Sequence, residues 1–369
     1  MSDISKVVRT FHTVGHGAFY TEEFKTEAFF MIYDCGTHGK IKGLEAIIKK
    51  GIEGKSIDLL VISHFHKDHI SGVEYLLRNY KVKTILLPLL EPIEKIKVFL
   101  QNEDKAASSF IKNLCLDPEA TIKNISLFED IKIVNVSSEV ADDAPVDIND
   151  ISSRTVKSGT KVIFTFKNQL EWIYLPFNFD SNKRSSELLK EFTSRNIPLD
   201  TDNFINFYTK NKTKVRAAYD AIEDDLNTNS LVLYSDICKN EYFQKAIGYY
   251  SRNSLAEKFS MKHISVGCLY LGDYNAKGSK KLQELKEKYR EYQRYISIIQ
   301  IPHHGSIENY HENLNFKDNL ISIISAPRNS YNHPNAEVLK QIVQKKGFSI
   351  IVTDDESSKF VQKISVYKR

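Results

Sequence analysis

The run His64-Phe65-His66-Lys67-Asp68-His69 sets the tightest limit on what this chain can fold into. Three imidazoles and one carboxylate fall within six residues, directly after the apolar run Leu59-Leu60-Val61-Ile62. A β-strand ending there hands its last residues to a loop on the rim of a sheet. Side chains on an extended chain return to the same side every second residue, so His64 and His66 project together. Asp68 and His69 lie past the strand end, where a turn aims them at a neighbouring point. Ile70-Ser71-Gly72 and then Val73-Glu74-Tyr75-Leu76-Leu77 read as the start of an amphipathic helix, which makes the cluster a strand-to-helix crossover. Polar groups crowded this closely need a cation to offset their desolvation. The pattern suits two adjacent cations, one at His64 and His66 and one at Asp68 and His69. The competing reading is a polar strand end that binds nothing.

The rest of the chain repeats a mixed β/α rhythm. Early strands are predicted at 7–14, 28–34, 59–63 and 83–87, with a helix at 40–51 stopped by Gly51. Later strands are predicted at 231–235, 266–271, 297–301, 321–325 and 348–353. Helices are predicted at 278–292 and 335–346, the second capped by Asn335 and closed by Gly347. Two such halves pack as two sheets flanked by helices, an αββα sandwich with the histidine cluster along one edge. One domain over 1–369 is expected, interrupted by an insertion at 91–227. Within that insertion Glu91–Leu116 reads as helical, Glu139–Ser158 as a loop, 162–166 with 171–175 as a hairpin, and Ser185–Asp225 as two or three helices. Insertions on a rigid scaffold shape a substrate mouth or a partner surface. Trp172, the single tryptophan, reads as core.

Composition narrows the class. The chain has 369 residues, 41% of them hydrophobic and 27% charged, which suits a soluble protein with a large core. Its longest apolar stretches, such as Ile85-Leu86-Leu87-Pro88-Leu89-Leu90, fall short of a membrane span. Met1–Lys6 has no signal-peptide pattern, so a cytoplasmic protein with no membrane partner is expected. Cys35, Cys115, Cys238 and Cys268 have no paired spacing and read as buried thiols. A net charge of +4 does not argue for nucleic acid. Lys277–Arg294 is rich in base but interleaved with Glu284, Glu287 and Glu291, the pattern of a solvated amphipathic helix face.

Several motifs together resemble the metallo-β-lactamase fold superfamily. Ile57–Ser63 is similar to its lead-in strand, and Phe29–Gly36, with Asp34 before Cys35-Gly36, to its early strand. Tyr270-Leu271-Gly272-Asp273 is similar to the strand whose aspartate bridges two metals. Ile301-Pro302-His303-His304-Gly305-Ser306 is similar to the last ligand motif. Within the superfamily the chain resembles the metallo-hydrolase domain of DNA-uptake competence proteins of the ComEC type. Val14-Gly15-His16-Gly17, Asn229-Ser230-Leu231-Val232-Leu233 and Tyr331-Asn332-His333-Pro334 carry that likeness, which spans residues 7–90 and 228–355. The sequence departs from the pattern in two places. Ala18 stands where an acidic residue is usual, and the further histidine expected between the cluster and Asp273 is missing. The first metal is therefore short of a ligand, completed by His263, by a water or not at all.

The resemblance implies two divalent cations, zinc or manganese. His64 and His66 would hold the first, with Asp68, His69 and His304 or His303 holding the second and Asp273 bridging. His304 is favoured because the last ligand commonly precedes a glycine. Asp34 and Asp58 would accept hydrogen bonds from ligand imidazoles or loop amides. Water shared by such cations loses its proton near neutral pH and serves as nucleophile, with Asp68 as catalytic ligand. Ser306, Asn329, Tyr331 and His333 make a second polar cluster. There His333 either donates to a phosphate or leaving oxygen or fixes the turn into the next helix. No other nucleophile motif is present. The leading expectation is a phosphodiesterase, most simply a nuclease, with nucleic acid or another phosphodiester as substrate. The alternatives are hydrolysis of a small cyclic nucleotide, phosphoester, thioester or lactone, and a non-catalytic subunit of a defence or DNA-processing assembly that binds a protein partner through the insertion.

Overall fold

The computed structural model describes residues 5–104, 107–141, 144–151, 155–167, 170–179, 182–222, 230–238, 242–252, 255–259, 265–328 and 333–368. Two sheets face each other. The first runs, edge to edge, through Leu255–Phe259, Tyr242–Arg252, Phe360–Lys368, Ser5–Phe11, Phe19–Phe24, Phe29–Cys35, Ile57–Val61, Val82–Pro88, Lys132–Val140 and Thr155–Ser158. The second runs through Phe348–Val352, Ile321–Ser325, Ile296–Gln300, Gly267–Tyr270, Leu231–Ile237, Glu171–Asn178, Val162–Thr165 and Val146–Asp147.

Period-two alternation sorts the strand residues into layers. In Phe29–Cys35, Phe30 and Ile32 face outward to helices while Phe29, Met31 and Tyr33 face the other sheet. In Leu231–Ile237, Leu231 and Leu233 face inward while Val232 and Tyr234 face outward. Three apolar layers result, one between the sheets and one under the helices on either side. This is the mixed α/β sandwich the β/α rhythm implies. Trp172 is fully buried between the sheets, where its Nε1 donates to Ser235 Oγ at 2.9 Å. Cys35, Cys115 and Cys268 are buried free thiols and Cys238 is half-buried.

Seven strands were not expected from the sequence: Phe19–Phe24, Lys132–Val140, Val146–Asp147, Thr155–Ser158, Tyr242–Arg252, Leu255–Phe259 and Phe360–Lys368. Two of them hide behind buried polar residues. Glu22 and Gln362 occupy inward positions that an apolar residue would normally fill, and both are buried with Arg9. Arg9 Nε donates to Glu22 Oε1 at 2.8 Å, and Arg9 Nη1 donates to Gln362 Oε1 at 2.6 Å and to Val266 O at 2.9 Å. Tyr270, Tyr174 and Ser235 hydroxyls also donate to the Glu22 carboxylate. A charge pair sealed between sheets persists because nearly every lone pair it carries is satisfied.

The stretch anticipated as an insertion divides. Residues 132–178 are not a separate body, since their strands extend both sheets, and part of the expected loop at 139–158 is strand. The helices Pro92–Asp104, Ser109–Leu116, Pro118–Ile125, Thr201–Lys210 and Lys212–Asp220, with Asn182–Ser194, pack over the outer face of the first sheet. Phe99 meets Phe204 and Tyr208 edge-on at 5.8 and 5.3 Å. Among the described residues, no helix is long and apolar enough to cross a membrane.

Candidate metal centre

Parallel strands from both sheets end at one rim. Phe29–Cys35, Ile57–Val61 and Val82–Pro88 run parallel in the first sheet, as do Gly267–Tyr270, Ile296–Gln300 and Ile321–Ser325 in the second. Residues just past their ends meet there. Leu231 N–H donates to Ser63 O at 2.8 Å, which ties the loops across the sandwich, and His303 N–H donates to Gly272 O at 3.3 Å, which ties two loops of the second sheet together. Gly272 has φ +55°, and a Cβ there would lie 2.9 Å from Ser63 Oγ and Ser230 Oγ. Glycine is therefore what lets the Asp273 loop close on the histidine loop.

Two groups of side chains with metal-ligand atoms form at this rim, and they share Asp273. One is His64, His66 and Asp273, the other Asp68, His69, Asp273 and His304. These six residues are only 1–6% exposed. His64 Nε2 lies 3.5 Å from Asp273 Oδ2, and His69 Nε2 lies 3.1 Å from Asp273 Oδ1. His304 Nε2 lies 3.0 Å from Asp68 Oδ2.

The ring nitrogens pointing away from the centre are all engaged. His69 Nδ1 faces Asp34 Oδ2 at 2.7 Å, and His304 Nδ1 faces the Ser325 carbonyl at 2.8 Å. Both partners accept only, so each Nδ1 donates and each Nε2 is left to face a carboxylate. Ser63 Oγ donates to Asp34 Oδ2 at 2.6 Å, which leaves its oxygen to accept from His64 Nδ1 at 2.9 Å. His64 Nε2, His69 Nε2, Asp68 Oδ1 and Asp273 Oδ1 are buried and have no hydrogen-bond partner. Imidazole lone pairs turned toward carboxylates, with the opposite ring nitrogens held by acceptors, are what a divalent cation needs. The residues present fit such a group.

The electrostatics agree. Burial pushes the Asp68 carboxyl up, but the His304 hydrogen bond and the His69 and His304 charges outweigh it and hold the group well below its ordinary range. Burial likewise opposes Asp273, and His69, His303 and His64 hold it well below. His69 is disfavoured by burial yet raised well above its ordinary value by Asp273 and Asp34. A proton on His69 thus supplies one of the positive charges that the two carboxylates demand. His64, burdened by burial and by His69, is lowered.

Backbone strain marks the same loop. His303 and His304 have φ +48° and +56°, followed by Gly305 at +79°. Non-glycine residues in that region cost about 1–3 kcal/mol each and concentrate at working sites. The result aims His304 at Asp68. His303 points elsewhere, its Nδ1 2.7 Å from Asn309 Oδ1, and it joins neither metal-ligand group. Asp34, at φ +54°, is a third strained residue, and Ser63 N–H donates to its Oδ1 at 2.7 Å. Asp58 instead accepts the Phe30 amide at 2.8 Å and pairs with Lys83, away from the ligand imidazoles. His333 stands at the rim, its ring 6.2 Å from those of His303 and His16. Burial, then the His304 and His303 charges, lowers it. Asn329, Tyr331 and His263 lie outside the described residues, as does Asn229.

Three neighbours of the centre, Gln101, Asn102 and His38, were not singled out from the sequence, and His16 was named only within the Val14–Gly17 motif. Gln101, on the helix Pro92–Asp104, places Oε1 3.1 Å from His66 Nε2, and the adjacent Asn102 Nδ2 donates to Phe65 O at 2.7 Å. The helical layer thus grips the histidine loop, though nothing local in its sequence marks those two amides. His16 and His38 approach Asp68 from the solvent side. His16 lies between two glycines and His38 beside Gly39, each in a loop after a strand end, a signal that spacing alone could have raised.

A family model for the metallo-beta-lactamase superfamily matches residues 24–123. Among solved structures the chain is similar to MEM-A1, a subclass B3 metallo-beta-lactamase isolated from a soil metagenome library. The identity is 12% and the TM-score 0.30, over 79% of this chain and 77% of that one. No curated protein matches the chain. The matched segment contains the His64–His69 cluster and the strands that deliver it.

Proposed function

We propose that this protein is a metal-dependent phosphodiesterase that acts on nucleic acid. The observation that carries the metal-dependent part is Asp273, shared by a His64–His66 group and an Asp68–His69–His304 group, where His64 Nε2, His69 Nε2, Asp68 Oδ1 and Asp273 Oδ1 lack hydrogen-bond partners. A carboxylate has two oxygens and can serve two cations at once. Those six residues would hold zinc or manganese. Such ions, when bound, polarise a phosphoryl oxygen and make water acidic.

The remaining roles belong to the chain's own groups. Asp34, Ser63 and the Ser325 carbonyl fix the ring orientations of His69, His64 and His304. Asp68 and Asp273, held ionised, supply the negative charge that retains cations. His333 is neutral near pH 7, so it takes a proton from water and returns it to the departing alkoxide oxygen. The phosphodiester assignment is supported by the sequence likeness to the competence-type domain, carried by Val14–Gly17, Pro302–Ser306 and His333-Pro334.

Purified protein should cleave bis-para-nitrophenyl phosphate and single- or double-stranded DNA or RNA in the presence of zinc or manganese. Chelation and Asp68→Ala should each abolish turnover. Polymer cleavage with steep salt dependence identifies a nuclease, because counterion release accompanies polyanion binding. Turnover of small esters alone would overturn the nucleic-acid assignment. Neither metal nor turnover would overturn the enzyme reading and leave a partner-binding subunit.

A further inference from the structure

A third group of metal-ligand atoms lies outside the two that share Asp273. His16 Nε2 and His38 Nε2 stand 3.7 and 3.5 Å from Asp68 Oδ2. Their side chains are 29% and 31% exposed. These separations exceed the roughly 2.7–2.9 Å of a charge-assisted hydrogen bond. They suit two ligands on one cation, since tetrahedral bonds of about 2.0–2.1 Å put neighbouring ligand atoms roughly 3.3–3.4 Å apart. The His16 and His38 rings meet edge to face with centroids 4.6 Å apart, and a ligand atom from each lies within 4.8 Å of the other and of an Asp68 oxygen.

The loops that present them are built as one piece. His38 N–H donates to His16 O at 2.8 Å, and Thr37 Oγ1 donates to Val14 O at 2.8 Å. Ala18 N–H donates to Asp68 O at 3.1 Å and Gly36 N–H to Ala18 O at 2.8 Å, which ties both loops to the cluster loop. Gly17 allows the contact, because a Cβ there would overlap the Gly36 carbonyl. This lacing holds the two imidazoles over the Asp68 Oδ2 that also meets His304 Nε2 at 3.0 Å.

We propose that His16, His38 and Asp68 form a third divalent-cation position at the mouth of the cleft, more open than the buried pair. The inference rests on the metal-centre reading, because Asp68 belongs to both. Its half-exposed ligands leave coordination positions facing solvent, where a phosphoryl oxygen of an entering substrate can bind. Asp68 would then link the entry position to the buried centre.

Crystals of the full chain soaked in manganese or zinc, with anomalous difference maps, test this directly. The expected result is a peak among His16, His38 and Asp68 in addition to density at the buried groups. In solution, His16→Ala/His38→Ala should bind one equivalent fewer than wild type and keep the buried equivalents. His38→Ala alone, checked for an unchanged circular dichroism spectrum, repeats the measurement in a milder background. Buried peaks without an outer peak, with equal stoichiometry in wild type and variants, would overturn the third position alone. No anomalous density at any of the groups would overturn the metal centre with it.

Discussion

Two buried polar clusters in this sandwich use similar chemistry and end in opposite states. Between the sheets, Arg9 brings its own positive charge to Glu22, and the carboxylate is further satisfied by Ser235, Tyr174 and Tyr270. At the rim, Asp68 and Asp273 face imidazoles whose other nitrogens are already committed, and four inward atoms have no partner. The first cluster is complete as folded, apart from Arg9 Nη2. The second is complete only with added positive charge. Burial does not by itself mark a functional site. What marks one is burial combined with acceptors that the chain leaves unanswered.

The difference can be broken most forcefully at Asp68. Asp68→Ala should lower phosphodiester turnover by more than the 10–100-fold typical of losing a residue that merely orients a ligand. It should change the stability of the chelator-stripped protein little, because losing the His304 contact at Oδ2 is offset by removing a buried carboxylate whose Oδ1 has no partner. Turnover assays and melting curves with and without chelator check both halves. A stripped variant that melts well below stripped wild type would put the rim cluster in the same class as the interior one.

Arg9→Met attacks the other side of the comparison. Stranding Glu22 should cost about 3–5 kcal/mol in urea unfolding. Metal stoichiometry should not change, since none of the rim ligands touches Arg9. Gln101→Ala is expected to act in the reverse sense. It should weaken binding of one cation about 10–100-fold in titration calorimetry, leave the other unchanged and shift stability little.

Histidine itself gives the finest version of the contrast. His69 sits between carboxylates and is raised, whereas His12 is fully buried against Thr21 and Phe19 and is lowered to about 3, by burial first and Lys359 next. A group whose folded value lies below its unfolded one binds more protons when unfolded. His12 therefore contributes stability that is fully present above about pH 6.5 and is lost as pH falls toward 3, at up to about 1.4 kcal/mol per pH unit. His12→Gln should flatten that part of the stability–pH curve, as followed by denaturant midpoints between pH 7 and 4.

Sequence made the rim far more legible than the interior. The His64–His69 spacing survives as a local pattern because a strand end and the next turn carry all four groups. Asp34 was legible for the same reason, lying at the end of its own strand. The strands bearing Glu22 and Gln362 were not, because a polar side chain facing inward reads as a break in apolar alternation unless its partner, 340 or more residues away for Arg9 and Gln362, is known. Gln101 was invisible on similar grounds. Its role depends on how a helix packs across the first sheet, and glutamine on a helix surface carries no local signal. His304 could be told from His303 only by the residue after it, while in the fold a pair of left-handed backbone conformations separates their directions.

The central claim is that the rim cluster lacks positive charge that only divalent cations supply. Titration calorimetry of chelator-stripped protein with zinc or manganese measures this most directly. At least two equivalents per chain should bind to the wild type, with protons released as His69 gives way, and Asp273→Asn should lose the tight binding. Wild-type protein that takes up no cation, or Asp273→Asn that binds as wild type does, would contradict the account.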